Sequence, residues 1–205
     1  MLSLTEQVWR HLCVAAETSG RRRWASASAL ARELDLGTST VHRALERPLE
    51  IQAVKIPTAG GLVLLDPGRL LMLWAGRRRP LRDRADRYSV PVRATEVERA
   101  VSNPEAILGG FGAVTAAIGA NTIADYSTVV VYGDPRLPDL VPDEHRGEAG
   151  FEPTDVWVLE PDPRLGRYGR TTPLSQAWVD LFNMPGWQAA RFVHALLPRM
   201  VADAA

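Results

Sequence analysis

The side chains best suited to chemistry stand close together in the stretch GTSTVHRALER, residues 37–47. Besides Glu46, its polar positions are three short hydroxyls, one imidazole and two guanidinium groups: Thr38, Ser39, Thr40, His42, Arg43 and Arg47. Short hydroxyls at the start of a helix suit hydrogen bonds to phosphate oxygens and base edges. Arg43 carries the fork of donors that bonds guanine O6 and N7 or a phosphate. The pattern therefore predicts recognition of DNA, for which no cofactor is needed.

Two helical patterns on either side of Gly37 must position these side chains. Apolar residues recur at helical spacing in both, at Ala27, Leu30, Ala31 and Leu34 and then at Val41, Ala44 and Leu45. The small Ala31 lets two helices approach, and Gly37 suits the turn between them. We expect a helix-turn-helix, with Thr38 or Ser39 capping its second helix and Pro48 ending that helix.

The neighbouring segments extend this motif into a small domain. A helical pattern, SLTEQVWRHLCVAAETSG, precedes it, and two strand patterns, LEIQAVKIP and GGLVLLD, follow it with TAGG as their turn. Three helices followed by a two-stranded ribbon is the order of a winged helix-turn-helix, which we expect over residues 1–66. The wing and the arginines before the second helix add further candidate DNA contacts: Arg21, Arg22, Arg23, Lys55, Thr58, Gly60 and Gly61.

Two competing interpretations apply to this domain. It could be a helical hairpin with an ordinary solvated face, or a winged helix that binds protein. Residues 1–65 hold eight basic and six acidic residues, a net charge of only +2. We therefore expect the arginine-rich flanks, Arg21 to Arg23 and Arg77 to Arg79, to supply much of the electrostatic affinity for phosphates.

The rest of the chain alternates between strand and helix patterns. Residues 67–80 predict a connecting helix and linker, and residues 81–205 predict a small mixed α/β domain. Within it, STVVVYG and PTDVWVLEP are strand patterns, and two helices at the end are broken around Pro185 and Gly186. No clear strand precedes GGFGAVTAAIG and no GK[ST] follows it, so we expect a small-residue helix there and no phosphate-binding loop. The predicted fold class is α+β or α/β.

Charge and composition restrict the classes of function that this chain can have. Residues 1–100 carry 17 basic and 11 acidic residues, a net of +6, and residues 101–205 carry a net of −6, which favours different partners for the two halves. The single cysteine excludes an internal disulfide, and the four scattered histidines match no metal motif. The first residues lack the apolar core of a signal peptide, and no apolar run reaches 18 residues. We expect a cytoplasmic protein that is not an enzyme.

The C-terminal half also contains short motifs in the same order along the chain as in a known protein family. A small-residue helix is followed by a strand with Tyr132 and Asp134, by a second strand, and by a helix pair that shares seven residues: Pro173, Leu174, Gln176, Asp180, Leu181, Ala189 and Ala190. This run resembles the C-terminal domain of AbiEi-type antitoxins, and RLLMLWAGRRRP to RADRYSVP resembles the segment that follows their winged helix. The resemblance covers about residues 25–200. The stretch DLVPDEHRGE departs from it, being longer and more acidic.

The resemblance implies a type IV antitoxin. Such a protein represses its own operon through the winged helix and counteracts a nucleotidyltransferase-like toxin, so its partners would be operator DNA and the toxin or the toxin's target. The main alternative is a ligand-sensing winged-helix transcription factor with a small-molecule site in its C-terminal domain. A nucleotidyltransferase with a DNA-binding appendage would need clustered carboxylates such as GSxDxD, which the sequence lacks.

Overall fold

The computed structural model describes residues 1–101, 103–119, 123–137 and 152–201. The fold is mixed α+β, and the chain divides into two compact units. The first unit comprises Leu2–Arg78 with the chain from Leu196, and the second comprises Met1 with Arg79–Ala195. The acidic stretch DLVPDEHRGE lies outside the described residues. Among those described, no helix has the length and apolar character needed to cross a membrane.

The helical part of the first unit consists of α1 (Leu4–Ser19), α2 (Ala27–Leu34), α3 (Thr38–Glu50) and α4 (Pro67–Arg77). Helix α1 begins with a capping box, because the Ser3 hydroxyl accepts from the Glu6 amide and the Glu6 carboxylate accepts from the Ser3 amide. It ends at Gly20, whose φ of 64° is left-handed. Helix α1 packs against α3 and α4.

Helices α2 and α3 are joined by residues 35–37, with Asp35 in the left-handed region. Ala31 is 2% exposed, as a close helix pair requires. Two expectations about α3 were wrong. Its N-cap is Gly37, with no side-chain cap, so Thr38 and Ser39 are its first helical residues, and Pro48 lies inside the helix, which continues to Glu50.

A three-stranded antiparallel sheet completes this unit, with β1 (Arg23–Trp24), β2 (Val54–Lys55) and β3 (Leu62–Leu64) in the order β1-β3-β2. The long strand expected in LEIQAVKIP is reduced to two residues because α3 takes Leu49 and Glu50. Strand β1 is too short to show a pattern in the sequence.

Helix α4 belongs to the compact core of the first unit. Leu70, Leu71, Trp74 and Ala75 are buried, and the helix packs on α1. The unit therefore continues to Arg78, whereas the sequence pattern placed its limit at residue 66 and assigned residues 67–80 to a connection.

The second unit is built on a mixed sheet of β4 (Arg84–Val90), β5 (Ile107–Gly109), β6 (Thr128–Tyr132) and β7 (Thr154–Leu159). Its strand order is β4-β7-β6-β5, in which β6 and β7 are parallel and the other pairs antiparallel. Its helices are α5 (Ala94–Ala100), α6 (Gly110–Ile118), α7 (Leu174–Phe182) and the part of α8 (Trp187–Val201) up to Ala195, with 3₁₀ turns at Pro80–Arg82 and Leu165–Tyr168. Helices α7 and α8 are separated around Pro185 and Gly186, as expected.

The glycine-rich segment of this unit differs from the expectation. It starts as strand β5 and turns directly into α6 at Gly110, so a strand does precede the helix. A Cβ at Gly109 would lie 2.9 Å from Cε2 of Tyr132, and Gly110 has a φ of +51°. Glycine is needed at both positions because α6 begins against the side chains of β6.

Candidate nucleic-acid interface

One face of α3 is buried and the opposite face is exposed. The buried residues are Val41, Ala44, Leu45 and Pro48, which follow the helical repeat and anchor the helix to its unit. The exposed positions near its N-terminus are the predicted contacts Thr38, Ser39, His42 and Arg43, while Thr40 is half-buried. Arg43 makes no hydrogen bond or ion pair within the described part of the chain, so its guanidinium can contact an external ligand.

The C-terminal end of α3 carries both acidic and basic side chains. The Nη1 atom of Arg47 lies 2.6 Å from Oε2 of Glu50, and Glu46 is exposed on the same face. Carboxylates repel phosphates, and Arg47 is already paired. The N-terminal half of α3 is therefore the part suited to DNA, and Arg47 is the weakest of the predicted contacts on this helix.

A contact from α1 holds the middle of α3. The Nε1 atom of Trp9 donates a hydrogen bond of 2.7 Å to the Ala44 carbonyl. Pro48 lies four residues after Ala44 and has no N–H to donate to that carbonyl. The indole takes the place of the missing helical donor, which explains how α3 continues past its proline. Sequence reasoning missed Trp9, and the available signal was a helical pattern that continues through Pro48.

A groove of about 660 Å³ runs beside α3 between α1 and α4. Arg43 and Arg77 both line it, and the Arg77 guanidinium lies 5.9 Å from the centre of the Trp9 ring. The fold thus brings one arginine of the predicted flank next to α3, although the two are 34 positions apart in the sequence. The prediction for this flank named Arg77 only as part of a basic run.

The three arginines before α2 have different environments. Arg21 forms a two-pronged ion pair with Glu33, with Nη2 to Oε1 at 2.6 Å and Nη1 to Oε2 at 3.1 Å, and it lies over the Trp24 ring. The hydrogen bond from Arg21 holds the pKa of Glu33 below its usual value. Arg22 is half-buried, and its carbonyl accepts from the Leu64 amide. Arg21 is therefore paired inside its own unit, and its expected role as a phosphate clamp would require this pair to open.

Arg23 and Lys55 form a cationic pair on the exposed face of the sheet. Arg23 in β1 and Lys55 in β2 both lie opposite Val63 of β3, so the three side chains share one face. Both cations are exposed, and neither forms an ion pair with another described residue. With two strand spacings of about 4.8 Å between them, they can contact separate phosphates.

The turn between β2 and β3 carries the remaining predicted contacts. Thr58 is exposed at its tip, and the Gly60 amide donates to the Pro57 carbonyl at 2.8 Å. Gly60 and Gly61 have φ values of +86° and +91°, and a Cβ at Gly61 would lie 3.2 Å from the Trp24 carbonyl. Gly61 therefore serves to close the turn against β1, while Thr58 and Gly60 are open to a ligand.

In the second unit, two residues of the resemblance meet in the core. The Tyr132 hydroxyl at the end of β6 donates a 2.5 Å hydrogen bond to Oδ2 of Asp180 in α7, and both residues are 1% exposed. Asp134 instead lies at the surface, where its carbonyl accepts from Nδ2 of Asn103. Tyr132 and Asp180 thus tie the sheet to the first helix of the terminal pair, which is a structural role.

No family model, curated protein or solved structure matches this chain.

Proposed function

We propose that this chain is a sequence-specific DNA-binding transcriptional repressor whose first unit is a winged helix-turn-helix. The observation that carries the proposal is the exposed edge at the start of α3, where hydroxyls stand beside His42 and Arg43, an arginine that has no hydrogen-bond or ion-pair partner among the residues that the structure describes. Helix α2, a three-residue turn and α3 are in the order of the motif, and β2 and β3 form the ribbon that would be its wing.

The charges of this unit suggest that different residues would contact the phosphates and the base edges. Arg23, Lys55 and Arg77 are exposed cations suited to phosphates, which set affinity and its salt dependence. Arg43, with Thr38 and Ser39, is placed for base edges in the major groove. The carboxylates of Glu46 and Glu50 at the other end of α3 would be repelled by phosphates. Only the N-terminal half of α3 is therefore expected to enter the major groove.

We further propose that this repressor is the antitoxin of a type IV toxin-antitoxin system that acts in the cytoplasm and is not itself an enzyme. The support is the resemblance of residues 25–200 to AbiEi-type antitoxins. In that role the first unit would bind the operator of its own operon, and the second would counteract a nucleotidyltransferase-like toxin. The net charge of −6 over residues 101–205 suits a basic protein partner.

A second candidate is a ligand-sensing regulator. The second unit has a groove of about 440 Å³ lined in part by Ile123, Arg191 and His194, and the Arg191 guanidinium suits a small anion. Small anionic metabolites that release DNA from the wild-type chain, but not from Arg191→Ala, would favour this candidate over the antitoxin.

Binding to the DNA upstream of the chain's own reading frame tests the repressor proposal. Arg43→Ala should weaken specific binding by about 10- to 100-fold, since a good base contact contributes about 1–3 kcal/mol, and should change non-specific binding little. Fluorescence anisotropy at 50 to 200 mM salt, on operator and scrambled duplexes, measures both. Arg99→Ala, an exposed arginine of the second unit, is the matched control. Equal losses on both duplexes would reassign Arg43 to the phosphate backbone, and no preference of the wild-type chain for its operator would overturn the proposal.

Co-expression tests the antitoxin proposal. A toxic neighbouring reading frame should arrest growth alone and allow growth when this chain is co-expressed. Growth arrest that the chain does not relieve contradicts the antitoxin role without affecting the DNA-binding result.

A further inference from the structure

Helix α3 contains a feature that would normally interrupt a helix. Pro48 is buried inside it, yet the helix continues to Glu50. A proline has no N–H for the carbonyl four residues before it, here that of Ala44. Ala44 is 1% exposed, so water does not readily reach this part of the helix. The Ala44 carbonyl therefore requires another donor.

Trp9 of α1 is that donor. Its side chain is 3% exposed, and its Nε1 atom lies 2.7 Å from the Ala44 oxygen. An indole N–H can only donate, so the direction of the bond is unambiguous. The bond joins residues 35 positions apart and crosses between two helices. It is therefore a tertiary contact at a position where other helices use a local one.

The bond acts next to the residue that carries the proposed base contact. Ala44 directly follows Arg43, and each residue turns an α-helix by about 100°. Holding the Ala44 carbonyl against α1 consequently sets the rotation of α3 at Arg43. Apolar packing of Val41 and Leu45 is less directional, because a hydrophobic contact tolerates small rotations that a hydrogen bond does not.

We propose that Trp9 is a positioning residue for DNA recognition. Through the Ala44 carbonyl it orients α3, so that Arg43 and the hydroxyls at the helix start project in one arrangement. This inference rests on the proposed function of the first unit. Trp9 itself is buried and does not contact DNA.

Three variants separate positioning from packing. Trp9→Phe keeps an aromatic ring and removes the donor. Pro48→Ala returns a backbone N–H four residues after Ala44, and the double variant combines both changes. Trp178→Phe is the matched control, because the Trp178 indole donates at 3.0 Å to the Val193 carbonyl in the second unit.

We expect Trp9→Phe to lower affinity for the operator at least tenfold and to leave affinity for a scrambled duplex within twofold. The double variant should return to within about threefold of the wild type, and Trp178→Phe should bind the operator as the wild type does. Circular dichroism at the binding temperature verifies that each variant is folded. Hydrogen exchange at the amides of residues 44–47, 49 and 50 should speed up in Trp9→Phe and slow again in the double variant.

Different results overturn different proposals. Unchanged operator affinity in Trp9→Phe, or a loss that Pro48→Ala does not repair, would overturn the positioning role and leave the repressor proposal standing. Equal losses on operator and scrambled duplexes would also overturn it, because general loosening of the unit has that effect. A wild-type chain that does not prefer its operator would overturn the repressor proposal instead, while the exchange data still report on the Trp9 bond.

Discussion

The two units differ in the partners of their inward-facing carboxylates. Both units carry ion pairs at the surface, such as Arg47–Glu50 in the first and Arg87–Asp155 in the second. In the first unit the buried Glu6 carboxylate accepts from the amide and hydroxyl of Ser3, only three residues away. In the second, the buried Asp180 and the half-buried Glu98 accept hydrogen bonds from the hydroxyls of Tyr132 and Tyr126, which lie on distant parts of the chain. Surface pairs are screened by salt and contribute little to stability, whereas buried carboxyls depend strongly on their partners. We therefore expect the second unit to be sensitive to pH and to the loss of single hydroxyls.

Glu98 illustrates the cost of burial. It lies so close to α6 that a Cβ at Gly112 would be 2.6 Å from its Oε1 atom. The Tyr126 hydroxyl is 2.9 and 3.1 Å from its two oxygens, and the Tyr126 ring stacks on Phe111 with centres 4.8 Å apart. Burial raises the pKa of Glu98 to about 7, although the bond from Tyr126 acts in the opposite direction.

The largest expected effect is a pH dependence in the second unit. Because the folded pKa of Glu98, about 7, lies above its usual 4.5, the unit is most stable when Glu98 is protonated. Its stabilising contribution is complete below pH 4.5 and is lost as pH rises through about 7, by about 3 kcal/mol. Urea unfolding of the wild type and Glu98→Gln between pH 4.5 and 8.5 measures the difference. The two should be similar near pH 4.5, with the variant more stable at pH 8.5. A constant difference across this range would contradict the raised pKa.

A somewhat smaller effect is expected from the other buried pair. Tyr132→Phe removes a hydrogen bond to the buried Asp180 carboxylate and should lower the free energy of unfolding by about 2 kcal/mol, the usual contribution of a bond to a charged group. Urea unfolding at pH 7 provides the measurement. Tyr88→Phe, at a half-buried tyrosine of β4, is the control and should cost under about 0.5 kcal/mol. Equal effects of the two substitutions would show that the Asp180 bond contributes no more than an average surface hydroxyl.

The smallest expected effect lies in the first unit. Lys55→Ala should weaken binding to every DNA sequence by about threefold to tenfold and reduce the slope of log K against log salt by about one. Arg21→Ala should leave that slope unchanged, because its guanidinium is paired with Glu33, and should lower stability by less than about 1 kcal/mol. Anisotropy titrations at several salt concentrations separate the two. A reduced slope in Arg21→Ala would show that the Glu33 pair opens to release Arg21 to DNA.

Local signals in the sequence were sufficient to locate the first three helices, but not both ends of α3. The helical pattern SLTEQVWRHLCVAAETSG covers α1, and the apolar repeat through Leu30, Leu34 and Val41 identifies α2 and α3. These features were readable because helical spacing acts over a few residues. Strands β1 and β5 were missed because two or three residues cannot display a period, and their partners lie far away in the chain.

The candidate site divides in the same way. The sequence by itself determined which face of α3 is exposed, because burial of Val41, Ala44 and Leu45 leaves the intervening positions outside. Only the tertiary structure decided that Arg21 is paired, that Arg23 and Lys55 share a face, and that Trp9 replaces the donor missing at Pro48. Arg21 meets Glu33 across 12 positions, Trp9 meets Ala44 across 35, and Tyr132 meets Asp180 across 48. Periodicity over a single helix carries no information about such partners, since they are set by how whole elements pack.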